Sequence, residues 1–346
     1  MIKLRPEIIT GIRAASTPEE LGYYLQNAIE LEHSTIPPYL TAMLSLRTGR
    51  NMDIAAQIRE IVIEEMLHMT IAANILIAIG GSPAINKPEF IPQYPGPLPM
   101  NIGDLQVGIE AFSIELVQNT FMAIEEPESP IPIAPPEALA AAPEYATIGQ
   151  FYDAIKEQIR VLGPSIFVNP TAPPQVVDST WFGDRLFVIT DPDTACAAID
   201  LIKIEGEGTS DSPFQRPGDP AHYYRFGEIV AGRRIIKTPD GFAYQGAAIL
   251  FDPSGVWPLR PNCKIADFAP GTQARTRIEA FAYNYSSLLN SLHNTFNGAP
   301  GELDTAIGIM YDLRVNAVSL METDTGDGTG HTVGPSYEYV DRQGGM

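Results

Sequence analysis

The chain has 346 residues, long enough for one large domain or two, and is 45% hydrophobic but only 18% charged, a balance that excludes a disordered or coiled-coil protein. Its formal net charge of −20 repels phosphate backbones and anionic lipid, which argues against nucleic-acid or membrane partners. Two cysteines, Cys196 and Cys263, give neither a disulfide framework nor a cysteine zinc site. The opening residues carry no signal-peptide core, and the longest apolar run, Ile71–Ile79, is too short to cross a bilayer, so a cytoplasmic protein is expected.

Two long helices are predicted first. Thr17-Pro18-Glu19-Glu20 reads as an N-cap, a first-turn proline and two acids suited to the helix dipole. Leu21, Leu25, Ala28, Ile29, Ile36 and Leu40 then recur at helical spacing to about Leu46. Pro37 cannot donate to the carbonyl of His33 and is expected to kink this helix. After the turn Thr48–Asn51, a second helix runs from Met52 to Ile79 on the stripe Ile54, Ile58, Ile61, Val62, Met69, Ala72, Ile75, and Gly80-Gly81 ends it. So short a link makes the two antiparallel neighbours.

The rest divides at proline clusters. A proline-rich stretch over Ser82–Pro99 precedes a helix expected across Asp104–Ile124, ended by Glu125-Glu126-Pro127. A second proline stretch, Pro127–Pro143, leads to an amphipathic helix near Ile148–Val161, and Trp181–Ile189 reads as a short strand pair. Asp193 or Thr194 caps a helix reaching Glu205-Gly206-Glu207-Gly208, and Asp219-Pro220 caps another to about Arg233. Residues 238–275 read as loop with one hairpin, followed by helices over Arg275–Phe296 and Leu303–Met321 and a Gly-rich tail. The fold class is mostly α: a helical bundle over 1–235 with a long insertion at about 82–192, and a C-terminal extension, 236–346, whose two helices pack on it.

The chemistry lies in acid–histidine pairs three residues apart: Glu30/His33, Glu65/His68 and Asp219/His222. Residues at this spacing share a helix face, and Glu-x-x-His on a core-facing stripe is the unit of bundle di-metal carboxylate sites. Glu65 and His68 fall on the second helix's apolar stripe, and Glu32 falls on the first helix's, midway between Ala28 and Ile36. Carboxylates on such faces must be paired, protonated or metal-bound. Glu30 and His33 fall off that face and read as surface or outer-layer groups. Candidates for the other half of the site are Glu205 or Glu207, two residues and about 200° apart on one helix, together with His222. Glu205 and Glu207 capping a loop, and His222 bonding backbone, are the structural alternatives. Asp219 is better explained as a cap, and Glu228 lies on another face than His222. Arg225 either neutralises the carboxylates, binds an acidic substrate or makes a surface ion pair. The aromatic stripe Phe281, Tyr283, Tyr285, Phe296 with His293 reads as core. No serine elbow, reactive cysteine or phosphate-binding glycine loop is present.

The stretches Glu30-Leu-Glu-His-Ser-Thr-Ile-Pro-Pro-Tyr-Leu40, Glu64-Glu-Met-Leu-His68, Glu205-Gly-Glu-Gly208, His222-Tyr-Tyr-Arg-Phe226 and Gly334-Pro-Ser-Tyr-Glu338 together resemble the ferritin-like domain of the iminophenyl-pyruvate dimer synthase type. That type occurs in violacein and rebeccamycin pathway enzymes and in standalone proteins. The resemblance runs from about Leu21 to Val340. It implies a ferritin-like four-helix bundle whose metal ligands are Glu32, Glu65, His68, Glu207 and His222, with Glu205 and Asp219 as secondary candidates. Glu32, Glu65 and Glu207 would set three negative charges against the four of two divalent ions. A regular di-iron site has Glu where this chain has Asp219, which leaves an asymmetric pair or a single metal open. The implied cofactor is iron, as two ions, with manganese as the alternative. The implied activity is an O2- or peroxide-dependent oxidoreductase acting on a small, amino-acid-derived metabolite. The alternatives are iron handling, peroxide disposal as in ferritins and manganese catalases, or a non-catalytic bundle.

Overall fold

The computed structural model describes residues 4–100, 104–134, 147–168, 174–177 and 180–340, and the part of the expected proline stretch from 135 to 143 lies outside them. Helix α1 (Pro6–Ala14), which the periodicity did not suggest, packs on later helices of the bundle. The bundle's spine is α2 (Pro18–Leu44) against α3 (Met52–Ala78). Thr17 caps α2 as expected, its hydroxyl accepting from Glu20 N. α3 is long and apolar enough to span a membrane by composition, but 89% of its most apolar stretch is buried inside the fold. Other helices surround it, so its hydrophobicity serves the core.

α2 continues unbroken through Pro37 and Pro38. Each proline removes a donor to the carbonyl four residues back. For Pro38 that carbonyl belongs to Ser34, and the buried Tyr94 hydroxyl donates to it at 2.6 Å instead.

The helix expected over Asp104–Ile124 forms only in its second half. Val107 is committed to a backbone bridge with Gly96, and Ile109 N donates to Asn262. Ser113 then caps α4 (Ile114–Leu116), which passes through a π-helical turn (Val117–Phe121) into α5 (Met122–Glu125). β1 (Ile133–Ala134) follows, then α6 (Ile148–Leu162) behind a Thr147/Gln150 capping box. The strand pair expected at Trp181–Ile189 is absent among the described residues, and a short 3-10 turn at Gly183–Arg185 stands there. α7 (Pro192–Glu207) is capped by Asp191, not Asp193 or Thr194, because Pro192 takes the first helical position and the cap precedes it.

β2 (Phe214–Arg216) and β3 (Asp219–Pro220) pair antiparallel, so Asp219 is a strand residue and no cap. α8 (His222–Ala231) begins two residues later, with Ala221 at its N-cap and no side-chain cap. β4 (Ile236–Thr238) and β5 (Gly241–Ala243) form the expected hairpin slightly early, and β1 joins β5 in parallel. α9 (Gln273–Phe296) and α10 (Leu303–Met321) pack together and contact α2 and α3. Phe281, Tyr285 and Phe296 are core, as read from the sequence, whereas Tyr283 is exposed. The tail returns to the bundle, where the Tyr337 hydroxyl meets Thr41 Oγ1 at 3.0 Å. α6 and α7 pack on each other, α6 also on α2 and α7 on α3. α5 and α8 pack together and close one side of the spine.

If Tyr94 replaces the donor that Pro38 lacks, Tyr94→Phe leaves a buried carbonyl unpaired and destabilises by about 1–2 kcal/mol. In a Pro38→Ala background, which restores the helical N–H, that cost should shrink towards zero. Chemical denaturation of the four variants measures both values.

Candidate metal centre

Two groups of potential ligand atoms, each lying within 4.8 Å of one another, meet in the core: Glu32, Glu65 and His68, and Glu65, Glu125 and His222. Glu65 belongs to both. Every contributing element supplies its residue by helical phase. On α2, Glu32 is four residues after Ala28 and faces α3. On α3, Glu65 and His68 are one turn apart on a face that turns inward. The π turn adds a residue to its ring and so rotates the helical phase of every later position, and Glu125 ends the helix beyond it. His222 is the first residue of α8, with the helix's positive end beside the carboxylates.

The histidines are held alike. His68 Nε2 lies 2.9 Å from Glu205 Oε2, and its Nδ1 faces Glu32 Oε2 at 3.6 Å. His222 Nε2 lies 3.1 Å from Glu64 Oε2, and its Nδ1 lies 2.9 Å from Glu65 Oε1 and 3.5 Å from Glu125 Oε2. The imidazoles stack with centroids 5.5 Å apart. An outer carboxylate on one ring nitrogen fixes the tautomer and turns the other nitrogen's lone pair inward, as in metal-ligating histidines. His222 Nδ1 is buried and, despite its close oxygens, satisfies no hydrogen-bond geometry. A cation among these atoms would satisfy it.

The acids are braced from the other side too. The Tyr39 hydroxyl donates to Glu125 Oε1 at 2.6 Å, the Thr35 hydroxyl to Glu65 Oε2 at 2.8 Å, and the Tyr152 hydroxyl to Glu32 Oε1. Burial pushes the Glu65 carboxyl up to about 7, with the Glu125 charge adding to it and His222 opposing. Burial would lower both histidines, but Glu205 and Glu32 raise His68 to about 10, and Glu125, Glu64 and Glu65 raise His222 well above its usual range. Glu64 overcomes its burial through His222 and Arg225 and drops to about 2. So dense a set of buried charges is the donor chemistry of a divalent-metal site. Three carboxylates and two neutral imidazoles would leave one net positive charge with two divalent ions.

Of the residues expected from sequence, the fold thus gathers Glu32, Glu65, His68 and His222. It does not bring Glu207 into either group. Glu205 shares α7's buried face with Ala198 and Ile202, and Glu207 lies about 200° away. Glu205 is not among the grouped ligand atoms but holds His68. Asp219 is outside too, its oxygens engaged by Arg216 and Arg225. Arg225 is buried and pairs with Glu64 and Asp219, so it is no surface ion pair. His33, read as a surface or outer-layer group, is buried against α9 with Nε2 2.7 Å from the Tyr285 hydroxyl. Glu228 stands apart, buried but accepting from Ile235 N and Arg234.

Sequence reading missed Glu125. One signal was available: an acid at a helix C-terminus is disfavoured by the dipole, so Glu125 at the helix stop calls for another partner.

A cavity of about 50 Å³ opens onto both groups, walled by Leu31, Ile124, Ile148, Tyr152, Ile202 and Glu207 among others. Glu207 lies against the start of α6, where a Cβ at Gly149 would meet its Oε1 at 2.6 Å. A side chain at 149 would displace the Glu207 carboxylate from this position.

The Ferritin-like family profile matches residues 25–231. The chain belongs to the ferritin-like family. The match covers all five grouped residues and both outer carboxylates. No curated protein and no solved structure matches the chain.

Burial raises Glu207 to about 7. The unfolded carboxyl ionises near 4.5, so from there up to about 7 the unfolded state loses its proton first and stability falls as pH rises. Glu207→Gln should therefore raise Tm relative to the parent at pH 8, with the difference vanishing near pH 5. Thermal melts across pH measure it.

Proposed function

We propose that this ferritin-like protein is an oxidoreductase with a carboxylate/histidine-bound pair of iron ions, or manganese in their place, acting with O2 or peroxide on a small metabolite. The observation that carries the reading is the paired orientation of the histidines. Each has Nε2 on its own buried carboxylate and Nδ1 turned to the acids that the other helices contribute. Glu32 and His68 would hold one ion, Glu125 and His222 the other, with Glu65 between them. Bound iron or manganese would supply redox and Lewis-acid chemistry towards O2 or peroxide.

The chain's own residues do the rest. Thr35, Tyr39 and Tyr152 orient the three acids by hydrogen bonds and keep their outer oxygens from water. The apolar wall of Leu31, Ile124, Ile148 and Ile202 shields the centre and offers contact to an apolar ligand. The likeness of the Glu30–Leu40, Glu64–His68 and His222–Phe226 stretches to iminophenyl-pyruvate dimer synthases supports an amino-acid-derived substrate. The cavity's small volume favours a second reading, in which O2 or peroxide alone reaches the centre and the protein handles iron or disposes of peroxide.

Glu65→Ala, His68→Ala and Glu125→Ala should each lower bound iron at least tenfold in affinity while the far-ultraviolet circular dichroism stays that of the parent. Removing Glu65 or Glu125 relieves repulsion in a crowded acid cluster, so those two variants should be as thermally stable without added metal as the parent or more so, whereas His68→Ala leaves Glu32 and Glu205 without their imidazole and should be less stable. Unchanged iron content in all three variants overturns the centre. Oxygen consumption with Fe(II) and no organic substrate separates the readings: sustained turnover favours iron handling, and its absence favours the metabolite oxidase.

A further inference from the structure

The acids that hold the two histidines are not independent of each other. Glu205 uses Oε2 for His68, and its Oε1 lies 3.0 Å from Arg185 Nη1. Glu64 uses Oε2 for His222, and its Oε1 lies 3.6 Å from that same Arg185 nitrogen. Arg185 comes from the 3-10 turn between α6 and α7, and its Nε donates to the carbonyl of Phe182 at 3.3 Å, which fixes the arm. One guanidinium thus reaches the second oxygen of each outer carboxylate, and on Glu64 it shares that oxygen with Gln215 and Arg216. A chain of direct contacts runs from His68 through Glu205, Arg185 and Glu64 to His222.

We infer that Arg185 is a positioning residue that touches both outer carboxylates and, by holding Glu205, sets the orientation of His68. The inference rests on the metal-centre reading above. It is an assignment to a segment outside the helices that carry the grouped residues. Both contacts come from the single nitrogen Nη1, which stays in place because Nε of the same planar group is tied to the Phe182 carbonyl.

The two ends of the clamp are unequal. Glu64 has further support: Arg225 Nη1 at 3.0 Å, itself held by Asp219 at 2.6 Å, and the Gln215 side-chain amide at 3.3 Å. For Glu205, the contacts among the described residues are His68 and Arg185. With Arg185 gone, Glu64 keeps its orientation and Glu205, fully buried, keeps only the imidazole it is meant to hold. The His68 position should therefore loosen far more than the His222 position.

Cobalt(II) titration of the purified full chain tests this, read by visible d–d absorption, which reports ligand geometry at each ion. The parent should bind two equivalents. Arg185→Met should still take two, with one affinity lowered about tenfold or more, the other changed less than threefold, and the d–d band of the weakened ion shifted; losses of ten- to a hundredfold are usual when an outer partner is removed. Arg185→Lys should recover part of the loss. Combining Arg185→Met with Glu205→Gln should cost no more than the worse single change, because Arg185 acts through Glu205. Arg13→Met, at an exposed pair with Glu157, should change nothing. Should Arg185→Met fail to fold, Arg185→Lys against the parent carries the comparison, and parent-like affinities and spectrum in it overturn the assignment. Two parent-like ions in Arg185→Met, or equal weakening of both, likewise overturn it. A parent that binds no cobalt defeats the metal-centre reading instead, whatever the variants do.

Discussion

The cost of taking charge out of water governs this molecule. Glu32, Glu64, Glu65, Glu205, His68, His222 and Arg225 are all buried, in a core whose bulk is aliphatic and aromatic. An isolated buried carboxylate would cost several kcal/mol, so none of these acids stands alone. Each has an imidazole, a hydroxyl or a guanidinium within bonding distance. The pattern is layered: hydroxyls and imidazoles meet the inner acids, and guanidinium groups meet the outer ones. The bundle's helices fix where these charges sit, and the charges in turn fix how the helices can be rotated. A turn of α3 by one residue would put Glu64 where Glu65 is and strand both.

That coupling explains why the short elements matter as much as the long ones. α2 and α3 would pair on hydrophobic contact alone, but they complete only half of the acid–imidazole arrangement. The rest comes from Glu205 near the end of α7, from a single-turn helix beyond a π turn, from the first residue of a ten-residue helix, and from Arg185 in a 3-10 turn. Elements this short have little intrinsic helical stability. His222 and Arg185 are tied to the acids of α3, and Glu125 is tied to Tyr39 of α2 and His222 of α8.

The sequence showed the spine plainly, because Thr17 and Gly80 punctuate it and the apolar stripes of α2 and α3 are long. It also pointed to Glu32, Glu65, His68 and His222, which sit in phase with apolar neighbours and which the fold brings close together. It failed where phase is altered or hidden. Glu125 lies past a π turn that no periodic template contains, and it was read only as part of a helix stop. Glu205 was in phase with Ala198 and Ile202, yet the resemblance pointed to Glu207, whose face is turned to the start of α6. Asp219 has the composition of a helix cap, but Arg216 and Arg225 claim its oxygens first. Arg185 carried no periodic signal at all, because its role comes from tertiary contact alone.

The order of the grouped residues along the chain has a consequence for biosynthesis. His222 comes 154 residues after His68, an interval of about 8–30 s at roughly 5–20 residues per second of ribosomal synthesis. Throughout that time the spine presents Glu32, Glu65 and His68 without His222, so an ion that needed the full set could be enclosed only after α8 has been made and has packed onto α3.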